Sequence, residues 1–223
     1  FGVVGPIGIG KSTVLVRFCY EGADRSGAGR TRVTAPLPAG LVFHYVDLLA
    51  AWRVGPQAVG DAVDLAERAL GMVGAVVVVD HVELVGPQVR ERLADRAREV
   101  GAMLVVGMRT SDPGMLEGVV DDTVVLGPVD EPAAKVLFRS LAPAHAGDDL
   151  VRWCVSDVAG GVPYAVVVLA RVAADLPPGR LRRLVGVFLS AGGDGTEGER
   201  VSAGGLVRLA MGRLDKGVAD LVV

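Results

Sequence analysis

Gly5-Pro6-Ile7-Gly8-Ile9-Gly10-Lys11-Ser12 fills every fixed position of the pattern G-x-x-x-x-G-K-[ST]. Each residue type at that spacing has a task. The glycines let the backbone turn tightly and bring its N–H groups against phosphate oxygens. Lys11 supplies a point charge for the β- and γ-phosphates, and Ser12 offers a hydroxyl to Mg²⁺. A helix beginning here aims its positive dipole end at the same anion. Gly5, Pro6, Ile7, Gly8, Ile9, Gly10, Lys11, Ser12 and Thr13 are therefore the expected nucleotide-binding residues.

Three residues elsewhere carry matching chemistry, and a fourth stands out by its setting. Asp80 closes the apolar run Val76-Val77-Val78-Val79, and a carboxylate at such a strand tip can hold Mg²⁺ together with Ser12. Glu83, three residues on, is the candidate to orient or activate an attacking water; its alternative is a surface carboxylate. Arg109 ends another apolar run and is expected to read a γ-phosphate; its alternative is a surface arginine. Pro163, in Gly160-Gly161-Val162-Pro163, is ordinary helix-start chemistry and by itself says nothing about a ligand.

These residues need elements to hold them. Phe1–Val4, Leu41–Val46 ending at Asp47, Ala75–Val79, Met103–Met108 and Thr123–Leu126 read as strands. The all-apolar, β-branched run at Ala75–Val79 suits a central parallel strand buried on both faces. Helices are expected over Thr13–Phe18, over Pro56–Leu70 with the stripe Val59, Val63, Ala66 and Leu70, and over Pro87–Glu99 with the stripe Val89, Leu93, Ala97 and Val100. Strand–helix alternation predicts a doubly wound parallel five-stranded sheet, with ligand beyond the carboxyl ends of its strands. After Pro128 the pattern is all helix: 131–142, 147–158, 163–175 and 178–190. Residues 21–40 read as a long loop and 191–205 as a Gly-rich linker, with a further helix beginning at Leu206.

Composition narrows the function class. With 51% hydrophobic residues, a core of useful size is available. A net charge of −3 and the absence of a long basic run argue against direct nucleic-acid binding; Arg180-Leu181-Arg182-Arg183 reads as a solvated helix face. No apolar stretch reaches the roughly 18 residues that span a bilayer, and no signal peptide is evident. Cys19 and Cys154 read as buried free thiols in a reducing, cytoplasmic compartment. His44, His81 and His145 form no ligand spacing. The chain opens at Phe1 inside a strand, so a fragment of a longer protein is expected.

In this order the motifs resemble those of the STAND class of P-loop ATPases, especially NB-ARC-like nucleotide-binding modules of bacterial transcriptional regulators and innate-immunity proteins. The phosphate loop at Gly5–Ser12 comes first and Val42–Asp47 looks like the second-strand motif. Val76–Asp80 looks like Walker B, and Leu104–Arg109 like the sensor strand that ends in arginine. Val125–Phe138 is similar to the entry into the helical domain, and Gly161-Val162-Pro163 to a Gly-x-Pro motif whose proline touches the adenine side of ADP in that family. The resemblance implies an α/β P-loop NTPase domain over 1–128, a small all-α helical domain over 129–190, a linker over 191–205 and the truncated start of a winged-helix domain over 206–223. It implies ATP or ADP with Mg²⁺ as cofactors. The implied role is a switch in signal transduction or transcription regulation, with self-association on activation. In the family, effector and sensor domains flank such a module.

Two features depart from the family. Many of these modules carry two adjacent acids after the Walker B strand, where this chain has His81 in the second place. The segment that usually covers adenine before the first strand is missing. The expectation is a slow or weak ATPase, with Glu83 as a substitute base. The alternatives are an AAA+-type ATPase with steady turnover and a P-loop small-molecule kinase, whose lid arginines would have to come from Arg25, Arg30 and Arg32.

Overall fold

The computed structural model describes residues 1–23, 40–142 and 146–191. Arg25, Arg30, Arg32, His145, most of the predicted loop, the linker beyond Ala191 and the predicted winged-helix start lie outside the described residues. The chain divides into two compact units, one of Phe1–Pro6 with Gly10–Leu126, the other of Ile7–Ile9 with the residues from Gly127 on.

The first unit is an α/β sandwich. Its strands are β1 (Gly2–Gly5), β2 (Val42–Asp47), β3 (Ala75–Asp80), β4 (Met103–Arg109) and β5 (Thr123–Val125), in spatial order β2-β3-β4-β1-β5. Every adjacent pair is parallel. All six residues of β3 are buried, which a strand covered on both faces requires and its valines supply.

Side-chain alternation sends the strand residues to two different cores. Val4, Val46, Val77, Val79, Val106 and Met108 pack with α3 (Pro56–Leu70) and α4 (Pro87–Val100). Val3, Val76, Val78 and Val105 pack on the other face, with Leu15, Phe18 and Cys19 of α1 (Lys11–Ala23). A parallel five-stranded sheet with helices on both faces, and a glycine loop leading from β1 into α1, fits a P-loop NTPase fold.

Several local expectations need correction. α1 runs to Ala23, so Glu21, Gly22 and Ala23 are helical rather than loop. The stretch Leu48–Val54, to which no element was assigned, is helix α2; Asp47 caps it, its Oδ1 accepting from Leu49 N–H at 2.9 Å and Ala50 N–H at 3.2 Å. Val100 is exposed, and the buried face of α4 is Arg90, Leu93, Ala94 and Ala97. Arg90 is buried in the first turn of α4, beside Val89, which is only half-buried; its Nη1 meets Met108 Sδ at 3.5 Å. A long stem lets a charged residue serve as core on a helix face.

The second unit is helical: α5 (Glu131–Leu141), α6 (Asp148–Arg152) continuing as a π-helical turn over Trp153–Val158, α7 (Pro163–Asp175) and α8 (Pro178–Ala191). Its core is built on fully buried Phe138, Leu169 and Leu181 with Cys154 and Val166. Asp130 caps α5 through a bond from Ala133 N–H at 2.8 Å.

The two cysteines differ, contrary to the expectation that both are buried: Cys154 is buried and Cys19 half-buried. Burial raises both thiols and pushes Cys154 to about 12. At pH 8 its thiolate fraction is then on the order of 10⁻⁴, against about a quarter for a free thiol. With a thiol-reactive disulfide reagent at pH 8, Cys19 is expected to label first and Cys154 at least ~100-fold more slowly, released only by denaturant. Equal labelling rates in the native protein would contradict this packing.

Candidate functional site

Residues i and i+2 of a strand share a face, so the carboxyl edge of the sheet can be read by parity. Tyr45 packs on the α1 face, and Asp47 follows it by two. Val78 is on that face, and Asp80 follows it; Val3 is followed by Gly5, and Val105 by Gly107 and Arg109. The sequence-predicted Asp80, Arg109 and Gly5 thus reach one edge on one face, beside the start of α1. Gly5 pairs with Arg109 in register, and Asp47 with Asp80.

The loop between β1 and α1 has the backbone its sequence requires. Gly8 and Gly10 take φ of 76° and 96°, the left-handed region that favours glycine. Val14 N–H donates to Gly10 O at 3.0 Å, so the N–H groups of Lys11, Ser12 and Thr13 precede the first intrahelical bond. Those groups and the helix dipole make this end an anion-binding position. Ser12 is half-buried there and Thr13 exposed, as are Pro6 and Ile7, while Ile9 is buried.

Lys11 is only 8% exposed. Its Nζ donates to Gly5 O at 2.7 Å and Pro6 O at 2.9 Å. An ammonium has three donors, so one remains for a ligand. Burial lowers the Lys11 pKa; the nearby Glu83 carboxylate opposes that shift, Arg109 adds to it and Asp80 opposes it. An arriving phosphate would favour the charged ammonium.

Asp80 is 1% exposed and held at both oxygens. Oδ1 accepts from His81 N–H at 2.9 Å, and Oδ2 accepts from Tyr45 O–H at 3.0 Å. Burial first, then the Asp80 charge and that hydrogen bond, raise the Tyr45 hydroxyl above its usual range, so it donates. A Cβ on Gly107 would lie 2.3 Å from Asp80 Oδ1 and 2.5 Å from Leu15 Cδ1, which places the carboxylate against both β4 and α1. His81 is left-handed, at φ 62° and ψ 42°. Its Nδ1 lies 3.2 Å from Asp47 Oδ1 and 3.6 Å from Asp80 Oδ2, without hydrogen-bond alignment to either.

Glu83 and Arg109 meet. Glu83 Oε2 accepts from Arg109 N–H at 3.0 Å, and Oε1 lies 3.8 Å from Arg109 Nε. Lys11, Asp80, Glu83 and Arg109 therefore form one cluster of two cations and two anions. Pro163 is a residue of the second unit, opening α7 after Val162.

The residues fit a nucleotide with Mg²⁺. The loop offers backbone donors and a buried cation bonded only to backbone carbonyls, and Asp80 offers hard carboxylate oxygen. Among the described residues no group of three or more His, Cys, Asp or Glu could hold a metal by itself, so an ion at Asp80 would need Ser12 and phosphate oxygens as co-ligands. Reading the sequence alone missed Tyr45, Asp47 and Gly107. Gly107 carried a signal, since a glycine inside an apolar strand marks a close approach. Tyr45 and Asp47 required the β2–β3 register.

No protein-family model matches the sequence, and no curated protein does. Among solved structures the chain is similar to PCH-2 of C. elegans, at 13% identity and TM-score 0.43, over 96% of this chain and 60% of that one. It is also similar to the AAA domain of FIGL-1 solved in complex with ADP, at 8% identity and TM-score 0.41, over 99% of this chain and 75% of that one. The chain thus spans about three-fifths of the length of the PCH-2 chain.

Proposed function

We propose that this chain is an ATP/ADP-binding module that works as a conformational switch with slow hydrolysis. The observation that carries the reading is buried Lys11, bonded to the loop's own carbonyls with one donor spare, in a cluster with Asp80, Glu83 and Arg109. Lys11 and the N–H groups at the start of α1 bind the phosphates. Asp80 and Ser12 hold Mg²⁺, which when bound offsets phosphate charge. Arg109 reads the γ-phosphate and must exchange Glu83 for it in doing so. Pro163, by its resemblance to the Gly-x-Pro motif, carries the adenine side of ADP. The STAND-like role, with ADP holding a closed form and ATP permitting self-association, rests on that resemblance and on the physical logic of a bistable element biased by one phosphate.

Slow turnover follows from two features. His81 stands where a second acid would, and the Arg109 backbone N–H holds Glu83 Oε2 at 3.0 Å, which restricts where that carboxylate can reach. A second reading, an AAA+-type ATPase with steady turnover, is favoured by Glu83 standing at the same sheet edge as Lys11 and Asp80, where a carboxylate could orient a water.

Turnover separates them. Protein purified without added nucleotide is expected to carry ADP, identified by mass spectrometry after denaturation. Single-turnover hydrolysis is expected below about 10⁻² s⁻¹, the range of P-loop hydrolases without an assisting partner. Steady turnover at about 1 s⁻¹ or above would sink the switch in favour of the second reading.

A further inference from the structure

Asp80 is the one proposed metal-holding side chain that another side chain grips. Its Oδ2 receives the Tyr45 hydroxyl at 3.0 Å from the neighbouring strand, while Oδ1 receives the His81 N–H at 2.9 Å. Two donors, one on each oxygen, fix the plane of a carboxylate and leave a lone pair on each oxygen for a metal or its water. We propose that Tyr45 is the positioning residue of the Mg²⁺ site, orienting the Asp80 carboxylate toward the ion held with the nucleotide. The inference rests on the proposed nucleotide reading and assigns a role that the loop motifs do not contain.

The surroundings support a dedicated contact. The Tyr45 ring packs on the α1 face with Phe43 and Leu15, in the core beneath the phosphate loop. Tyr45 pairs in register with Val78, two residues before Asp80 on the same face, so its hydroxyl reaches along β3 to the strand tip. A phenylalanine there would keep the packing and lose only the donor. Oδ2 would then be buried with one bond fewer, free to rotate away from the geometry an octahedral ion demands. Outer partners of metal ligands of this kind typically govern metal affinity by about 10- to 100-fold.

The test compares ADP affinity with Mg²⁺ and with EDTA, by calorimetry on the whole chain, for wild type, Tyr45→Phe, Asp80→Asn and the double variant. In Tyr45→Phe the strengthening of ADP binding by Mg²⁺ is expected to fall at least ~5-fold, with affinity in EDTA within about two-fold of wild type. In the Asp80→Asn background, Tyr45→Phe should change the Mg²⁺ effect no further. Tyr45→Met, which also lacks the donor, should behave like Tyr45→Phe and replaces it if that variant melts below the assay temperature. An unchanged or enlarged Mg²⁺ effect, or equal losses with and without Mg²⁺, would overturn the positioning role while leaving nucleotide binding standing. Wild-type protein that binds no ADP under either condition would overturn the nucleotide reading and this inference with it.

Discussion

Lys11→Ala is expected to weaken ADP binding by about 100- to 1000-fold while the protein stays folded. A charge-assisted hydrogen bond is worth about 1.5–3 kcal/mol. Lys11 brings that bond together with a point charge already drawn out of water, since the residue is 8% exposed. In the free protein its ammonium is satisfied by Gly5 O and Pro6 O, so the side chain is held in place before any ligand arrives. Binding then loses little side-chain entropy. Removing the lysine deprives two carbonyls of a donor, the buried Gly5 O and the part-buried Pro6 O; water entering the vacated space can replace it, so a stability loss of about 1 kcal/mol is expected. Lys11→Arg should not rescue binding, because a planar five-donor fork does not fit a slot shaped by one compact ammonium. Calorimetric titration with ADP beside a thermal melt reads both effects. ADP affinity in Lys11→Ala equal to wild type would remove the phosphate loop from the account.

On the proposed reading, the charges around Lys11 are the balance that a bound nucleotide would shift. Lys11 and Arg109 are balanced by Asp80 and Glu83 in the free protein, so no cation is left uncompensated. Phosphates add negative charge and Mg²⁺ returns part of it. The Glu83–Arg109 pair is the adjustable part of this balance. Its ionic contact is loose at 3.8 Å, whereas Glu83 also holds the Arg109 backbone N–H at 3.0 Å. The arginine side chain can therefore leave for a γ-phosphate while Glu83 stays anchored to β4. Arg109 is 43% exposed at its side chain, so its pairing with Glu83 in water offers little resistance to that exchange.

How much of this was legible in the sequence depends on the range of the interaction. Lys11 and its loop were readable because the motif is local: eight consecutive residues carry the turn, the charge and the hydroxyl. β3 was readable because four consecutive valines can only be a strand buried on both faces in such a context. The Tyr45–Asp80 bond was not readable, because its partners are 35 residues apart and meet only through the β2–β3 register. Helix α2 was missed although Asp47 before Leu48-Leu49-Ala50-Ala51 is an N-cap signal; proximity to a strand end drew the carboxylate into the strand reading instead. Arg90 shows the limit of apolar counting, which selected Val100, in fact exposed, and passed over an arginine whose long stem is buried. The left-handed backbone of His81 had only a weak sequence signal, since histidine is enriched at positive φ but no glycine marks the turn.

Gly107→Ala is expected to damage the site from underneath. Gly107 lies on β4 between the two neighbouring strands β1 and β3, on the face that carries Asp80. A methyl group there would stand 2.3 Å from Asp80 Oδ1 and 2.5 Å from Leu15 Cδ1, both inside any allowed separation, and 3.1 Å from Asp80 Cγ. Leu15 is fully buried under β3 and β4 and has little room to withdraw. The carboxylate is the group more able to move, and moving it breaks the bonds from Tyr45 and His81 that orient it. Overpacking of this kind costs about 1–3 kcal/mol of stability. The larger consequence is functional: the Mg²⁺-dependent part of ADP affinity should fall about 10-fold or more, as when a metal ligand loses its supporting contacts. ADP affinity in EDTA should fall less, since the phosphate loop is a separate part of the same edge. The measurement is the ratio of ADP affinities with and without Mg²⁺, beside a denaturant titration. A variant with a lowered midpoint but an unchanged ratio would show that Asp80 can be displaced without consequence, and the metal role assigned to it would fall.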